Sequence, residues 1–173
     1  YTTLLNIPIN SGAGYVLAPL CLIRGHTQMA ITTAMCNSFK QELLGGVHDL
    51  DTDTLKVALI KQSPTGTYGA GTTNYSDLTD DTDEAVGTNY TATGQTLDSA
   101  TISLSGSTAF VDFADEVFTN LTISADGCII YNASQGNKAI AVFDFGTTVT
   151  STAGDFTVVF PAADASNAVI RIS

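Results

Sequence analysis

Basic side chains are scarce in this chain of 173 residues, which has 6 Lys and Arg against 17 Asp and Glu and a net charge of −11. Proteins that bind nucleic acid or anionic membrane surfaces rely on Lys and Arg to contact phosphates. The charge balance therefore argues against both as partners. Charged residues of either sign make up only 13% of the chain, whereas ~25% is usual, and disordered chains carry more.

Cysteine, tryptophan and long apolar runs are also rare or missing. The cysteines Cys21, Cys36 and Cys128 are far apart and form no CxxC motif, so neither a zinc site nor a disulfide framework is predicted. We expect them to be free, buried thiols that behave as small apolar residues. No apolar run reaches the ~18 residues of a membrane-spanning helix. The absence of tryptophan weakens a sugar-binding interpretation.

Residues 1–28 differ from the rest of the chain, because they show no stable hydrophobic period and hold one of its two histidines. Met29 follows them and resembles an ordinary start, which predicts a translated upstream segment or leader. A signal peptide with its apolar run at residues 16–23 is an alternative, although Pro19 breaks that run. A third interpretation is an extended arm that docks on a neighbouring subunit.

Residues 29–173 contain many short segments in which apolar and polar residues alternate, and turn-forming residues separate these segments. This pattern predicts a single β domain. We expect an all-β fold, a β-sandwich or jelly-roll-like barrel of about seven to nine short strands. A hairpin is predicted at residues 101–113, with its turn at 105–107. Further strands are predicted at 55–60, 118–124, 128–131, 138–145, 155–160 and 168–172.

One short amphipathic helix is predicted before the first of these strands. Thr32 or Thr33 is its expected N-cap, and the glycines at 45 and 46 end it. Its apolar stripe comprises Cys36, Phe39, Leu43 and Leu44.

Residues 62–96 contain few large apolar side chains and many turn formers, which predicts a long surface excursion with one short strand or hairpin near 87–97. Its tyrosines Tyr68, Tyr75 and Tyr90 are the candidate contacts with a ligand, because an aromatic ring can stack on a sugar.

Residues that carry catalysis are hard to find in this sequence. Because His26 lies in the first 28 residues, His48 is the remaining histidine, and we interpret it as an exposed or helix-end residue. The acidic residues 49–53 match the start of a calcium loop, but Thr54 and Ile60 replace its Gly and Glu. A second acidic run at 77–84 has no recognised ligand spacing. Both runs are interpreted as solvated loops, with adventitious calcium binding as the alternative. The sequence predicts no catalytic residue, no cofactor and no metal.

Four segments carry a resemblance to a known group of proteins. They are SFKQELLGGVHDLDTDTLKVALI at 38–60, VGTNYTATGQTL at 86–97, VDFADEVFTNLTISADGCIIYN at 111–132 and AIAVFDFGTTVTSTAGDFTVVFP at 139–161. Together they make residues 29–173 resemble small virion structural proteins of tailed bacteriophages. The acidic run at 77–84 departs from this pattern, in the region where the group varies most.

The resemblance implies a non-enzymatic virion protein, a capsid decoration (cement) protein on the outside of the shell. Its implied partner is the major capsid protein or another virion protein, and its implied state is a homo-oligomer, with a trimer favoured. A negative charge suits an exterior position, away from packaged DNA. The alternative is a tail or fibre-tip receptor-binding module that uses residues 62–96.

Overall fold

The computed structural model describes residues 30–98 and 100–173, which form two antiparallel sheets around one core. The predictions for residues 1–28, Met29, Cys21 and His26 therefore lie outside the described residues. The strands are β1 (Ala34–Met35), β2 (Leu55–Lys61), β3 (Gln95–Thr96), β4 (Thr101–Ser105), β5 (Thr108–Asp112), β6 (Glu116–Asn132), β7 (Lys138–Val158) and β8 (Ile170–Ile172). The helices are α1 (Asn37–Leu44) and α2 (Ser76–Asp80), and a 3₁₀ turn spans Ala133–Gln135.

The large sheet has the strand order β1-β7-β6-β2-β3, and the small sheet has the order β4-β5-β8. The all-β, sandwich-like prediction is confirmed, and within the described residues neither sheet closes into a barrel. Apolar side chains of both sheets meet in one buried cluster, to which Ile129 and Val142 contribute from the large sheet and Val111 and Ile170 from the small sheet.

Strands β6 and β7 are longer than predicted. Each merges two predicted strands into one, and they pair from Asn132 opposite Lys138 to Glu116 opposite Val158. The register shifts at several points along this pair, including the step between Ala125 and Gly127. Bulges of this kind bend a strand and increase its twist. A bulge therefore interrupts the apolar alternation within a continuous strand. For this reason the sequence pattern predicts two strands where the structure has one.

Helix α1 forms as predicted, but its boundaries differ. Its N-cap is Cys36, and Ala34 and Met35 before it belong to β1, so the predicted Thr cap is wrong. At the other end Gly46 has the positive φ of +68° that a left-handed helix end requires. Phe39 is buried as predicted, whereas Leu44 is 93% exposed and does not belong to the buried stripe.

The segment at residues 62–96 is not a surface excursion throughout. The backbone of Tyr68 bonds to Ala30 and Thr32, α2 follows, and β3 then pairs with β2, which confirms the short predicted strand. Leu78 of α2 is fully buried in the core. Its turn-forming residues therefore connect short pieces that pack on the large sheet.

Candidate interaction surface

The small sheet presents one apolar face. In an antiparallel sheet directly opposed residues point to the same side. Ile102 lies opposite Val111, which lies opposite Ile170, and Leu104 lies opposite Ala109, which lies opposite Ile172. We call these six residues the apolar face.

Half of the apolar face is open to solvent. Val111 and Ile170 are buried in the core, whereas Leu104 is 73% exposed and Ile102 and Ile172 are each 54% exposed. Ile102 and Leu104 lie on β4 and Ile172 lies on β8, the two outer strands of the small sheet. Contiguous exposed apolar side chains of this kind mark binding surfaces more often than scattered ones do.

A groove of about 430 Å³ lies between the apolar face and a wall formed by the end of α1 and the chain that follows it. Leu43 and Leu50 line its other wall, together with His48 and Asp49. The groove therefore has apolar walls and one acidic residue, and it opens beside the exposed side chains of Ile102 and Ile172. This combination suits an extended apolar segment of a protein partner better than a charged small molecule.

A buried polar network lies behind the groove and is centred on His48, whose side chain is fully buried. The prediction of an exposed or helix-end histidine is therefore wrong as to exposure. His48 Nε2 lies 3.0 Å from Glu42 Oε2, and its Nδ1 lies 3.0 Å from Asn132 Nδ2. Glu42 also pairs with Lys138 of β7. The network ties α1 to the ends of β6 and β7 and so fixes one wall of the groove.

The electrostatics of this network favour ionised carboxylates. Burial alone would raise the pKa of Glu42, but hydrogen bonds from Lys138 and His48 hold it below its ordinary value. The amide of Asn132 lies 2.6 Å from Asp53 and lowers the pKa of that carboxyl. Both carboxylates therefore act as acceptors, and the arrangement holds loops in place.

The three candidate tyrosines lie in or against the core. Tyr68 and Tyr75 are buried, and Tyr90 packs on Phe118 with ring centroids 5.8 Å apart. The hydroxyl of Tyr68 donates to Asp83 at 2.8 Å, and those of Tyr75 and Tyr90 both donate to Glu84. The rings of Tyr68 and Tyr75 are therefore not positioned to stack on a sugar.

The acidic run at 77–84 is only partly solvated, which corrects that prediction. Asp83 is fully buried and lies 2.7 Å from Lys61, and it also accepts bonds from the backbone of Thr65 and Gly66. Burial would raise its pKa, but these donors and Tyr68 lower it overall. The run thus anchors residues 62–70 to β2.

The other acidic positions have similar structural roles. In the run at 49–53, Asp53 accepts a bond from the backbone of Asp49. A second cavity of about 280 Å³ is lined by Asp126 and Asp144, which accept bonds from Ser63 and Gly146 respectively. In the described part of the chain no group of three or more His, Cys, Asp or Glu side chains is arranged to hold a metal ion. Nor does any described helix have the length and apolarity to cross a membrane.

The cysteine prediction is confirmed where it can be checked. Cys36 and Cys128 are free and buried. Burial raises the pKa of each thiol to about 12, and at Cys36 the nearby Asp77 adds to the effect. Both thiols are therefore protonated at neutral pH and behave as small apolar side chains.

Sequence reasoning found the hairpin of β4 and β5 but not the surface it carries. The turn is tighter than predicted, because Ser105 pairs directly with Thr108. A sequence signal for the surface exists: β4 alternates apolar and small hydroxyl residues, and it has no charged side chain to mark a solvent-facing side. Comparison with known proteins finds no matching family model, no matching curated protein and no matching solved structure.

Proposed function

We propose that this protein is a non-enzymatic capsid decoration protein that binds the outside of a bacteriophage shell through the apolar face and its groove. The observation that carries the proposal is an open apolar surface in an otherwise acidic molecule. Its 17 acidic residues, set against 6 basic ones, suit an exterior position away from packaged DNA. The resemblance of residues 29–173 to small phage virion proteins supplies the virion context.

The mode of binding follows from the groove. A loop or strand of the major capsid protein would place apolar side chains between Leu43 and Leu50 on one wall and Val111 on the other. A protein that binds only the assembled shell stabilises it by mass action. The buried network behind the groove keeps this wall rigid, which lowers the entropic cost of docking.

The alternative, a receptor-binding module at the tail or fibre tip, relied on tyrosines in residues 62–96. Because Tyr68 and Tyr75 are buried, the observation that favoured this alternative is lost. We therefore keep decoration of the head as the single proposed function.

Copy number in purified virions tests the proposal. Quantitative mass spectrometry against the major capsid protein should give a ratio near one per capsid subunit, or a simple fraction of it. A handful of copies per particle would place the protein in the tail, and its absence from virions would overturn the proposal altogether.

A substitution tests the surface. Ile172→Asp puts a charge on the apolar face, and Val159→Asp makes the same change at a site that is 69% exposed and outside it. Added to shells that lack the protein, the first variant should bind at least about tenfold more weakly than the second, because a carboxylate must be desolvated in an apolar contact. Equal binding would exclude the apolar face. Circular dichroism of both variants establishes that they are folded.

A further inference from the structure

Among the described residues, strand β4 leaves one edge of the small sheet unpaired. It is one of the two outer strands of the small sheet, the other being the three-residue β8, and no described strand pairs with its outer side. The large sheet has edges of only two residues each, at β1 and β3. Natural proteins protect exposed edges with Lys, Pro, bulges or short strands. The five residues of β4 have none of these, and their register with β5 is regular.

The chain segment that contains β4 and its turn is also free of charge. Residues 99–111 contain no Asp, Glu, Lys or Arg, although the whole chain carries −11. Two copies of so acidic a protein repel one another over most of their surfaces. Two copies can therefore approach each other at β4 with the least repulsion. A different protein with basic side chains would gain no ion pair with this segment.

The sequence of β4 is self-complementary. In Thr101–Ser105 the apolar residues Ile102 and Leu104 lie on either side of Ser103. If two copies pair antiparallel with their Ser103 residues opposed, Ile102 of each copy faces Leu104 of the other. Opposed residues share a side of the sheet, so all of these apolar side chains lie on the same face.

The backbone of β4 fits the same register. Ser105 and Thr108 flank a two-residue turn whose first position, Gly106, has a φ of +60°. Residues that flank such a turn bond to each other, and along an antiparallel pair every second residue does so. The N–H and C=O groups of Ile102 and Leu104 therefore point away from β5. Paired as above, each Ile102 exchanges both of its backbone bonds with the Leu104 opposite.

We propose that a second copy of this chain pairs with β4 in this register, so that a two-fold axis passes beside Ser103 and the two small sheets become one. Pairing uses the edge of the sheet and leaves its faces free. The exposed side chains of both apolar faces then form one continuous surface, open to a further partner. This contact is isologous and closes at two copies, and it does not depend on the proposed function.

A cysteine at the axis provides the sharpest test. In the proposed register the Ser103 residues form a pair that is not hydrogen-bonded, with Cα atoms about 4.5 Å apart, within the range of a disulfide. Ser103→Cys should therefore give a covalent dimer under mild oxidation. Ser105→Cys is the matched control, because Ser105 lies opposite Thr101 of the second copy. Both variants also carry Cys21→Ser, so that Cys21 cannot form a disulfide with the introduced cysteine. Cys36 and Cys128 are kept, because both are buried.

The expected result is about tenfold more covalent dimer for Ser103→Cys than for Ser105→Cys, since only the former opposes itself. A mixture of Thr101→Cys and Ser105→Cys chains should cross-link, which neither variant does alone. Equal cross-linking of the Ser103 and Ser105 variants, or none for either, would overturn the proposed register.

Sedimentation velocity of the full chain tests the contact without cross-linking. The double variant Ile102→Lys, Leu104→Lys sets lysine opposite lysine and should shift a concentration-dependent dimer to monomer. The double variant Val86→Lys, Val159→Lys makes the same charge change at exposed sites away from β4 and should stay dimeric. A trimer, or a native chain that is monomeric at all concentrations, would reject the proposal, whatever the copy number in virions proves to be.

Discussion

The side-chain amide of Asn132 donates to Nδ1 of His48 across 3.0 Å, and this contact fixes the state of the histidine. The Oδ1 atom of Asn132 accepts bonds from the backbone N–H groups of Ser134 and Gln135, so its Nδ2 must be the atom that faces His48. A ring nitrogen that accepts a bond carries no proton. His48 is therefore neutral, with its proton on Nε2, where it donates to Glu42.

Replacement of Asn132 tests this arrangement. Asn132→Asp keeps the oxygen that caps the 3₁₀ turn. It also places a second carboxylate beside Asp53, whose Oδ2 lies 2.6 Å from the amide nitrogen of Asn132 in the native chain. Because the histidine and Asp53 both lose a buried donor, we expect the free energy of unfolding at neutral pH to fall by about 2–3 kcal/mol. Urea denaturation monitored by circular dichroism measures it.

The matched control for this substitution is Asn137→Asp. Asn137 is exposed and lies five positions further along the chain. Because solvent screens an exposed charge, its change in stability should stay within about 0.5 kcal/mol. If both variants lose the same stability, the bonds of Asn132 are not what holds the network.

The ion pair between Lys61 and Asp83 gives a second prediction. Lys61→Met leaves a fully buried carboxylate with its hydroxyl and backbone donors but no cation. We expect a loss of about 3 kcal/mol at neutral pH, at the low end for a broken buried pair, because those donors remain. Lys40→Met, at an exposed position on α1, should have little effect. Recovery of stability in the double variant Lys61→Met, Asp83→Asn would show that the unpaired charge is the cause.

The pH dependence of this pair has a definite sign. The native pKa of Asp83 is lower than that of an unfolded aspartate, near ~3.9. Its stabilising contribution is therefore present above that value and is lost as the pH falls through the native pKa. The free energy of unfolding of Asp83→Asn, measured by acid denaturation, should accordingly fall less steeply with decreasing pH than that of the native chain.

The sequence predicted the fold class and the β4–β5 hairpin because both depend on local alternation. It did not predict that Tyr68 is buried, since no apolar period surrounds this residue. Its burial depends on distant partners, namely the backbone of Ala30 and Thr32 and the carboxylate of Asp83, which local patterns do not reveal. The exposure of Ile102 and Leu104 was missed for a related reason. Alternation shows which residues share a face, but what covers that face depends on the packing of the two sheets.

Asp112 is a half-buried residue whose carboxylate opposes folding at neutral pH. Among the described residues its Oδ1 atom has no hydrogen-bond partner. Burial raises the pKa of this carboxyl, and the charge of Asp115 adds to the effect. A raised native pKa means that stability increases as the pH falls through that pKa toward the ordinary value, near ~3.9.

Asp112→Asn should therefore stabilise the protein at neutral pH, by about 1 kcal/mol, because a half-buried charge with one unpaired oxygen is removed. It should also reduce the rise in stability on mild acidification, to which Glu116 still contributes because burial raises its pKa as well. Asp80→Asn makes the same change at an exposed residue and controls for the general reduction of negative charge. Thermal denaturation between neutral pH and pH ~4 measures both effects, and a less stable Asp112→Asn variant would contradict the prediction.

Two glycines with similar backbone angles should respond differently to alanine. Gly94 has a φ of +67° and a Cβ added there would lie 1.8 Å from the carbonyl oxygen of Val57, whereas Gly106 has a φ of +60° and open space around it. Gly106→Ala should cost only the backbone strain of about 1–2 kcal/mol. Gly94→Ala must in addition push residues 91–96 away from β2, for a total of about 3 kcal/mol or more. Equal losses in urea denaturation would mean that strain alone sets the cost, and that the close approach of residue 94 to β2 does not hold this segment against the large sheet.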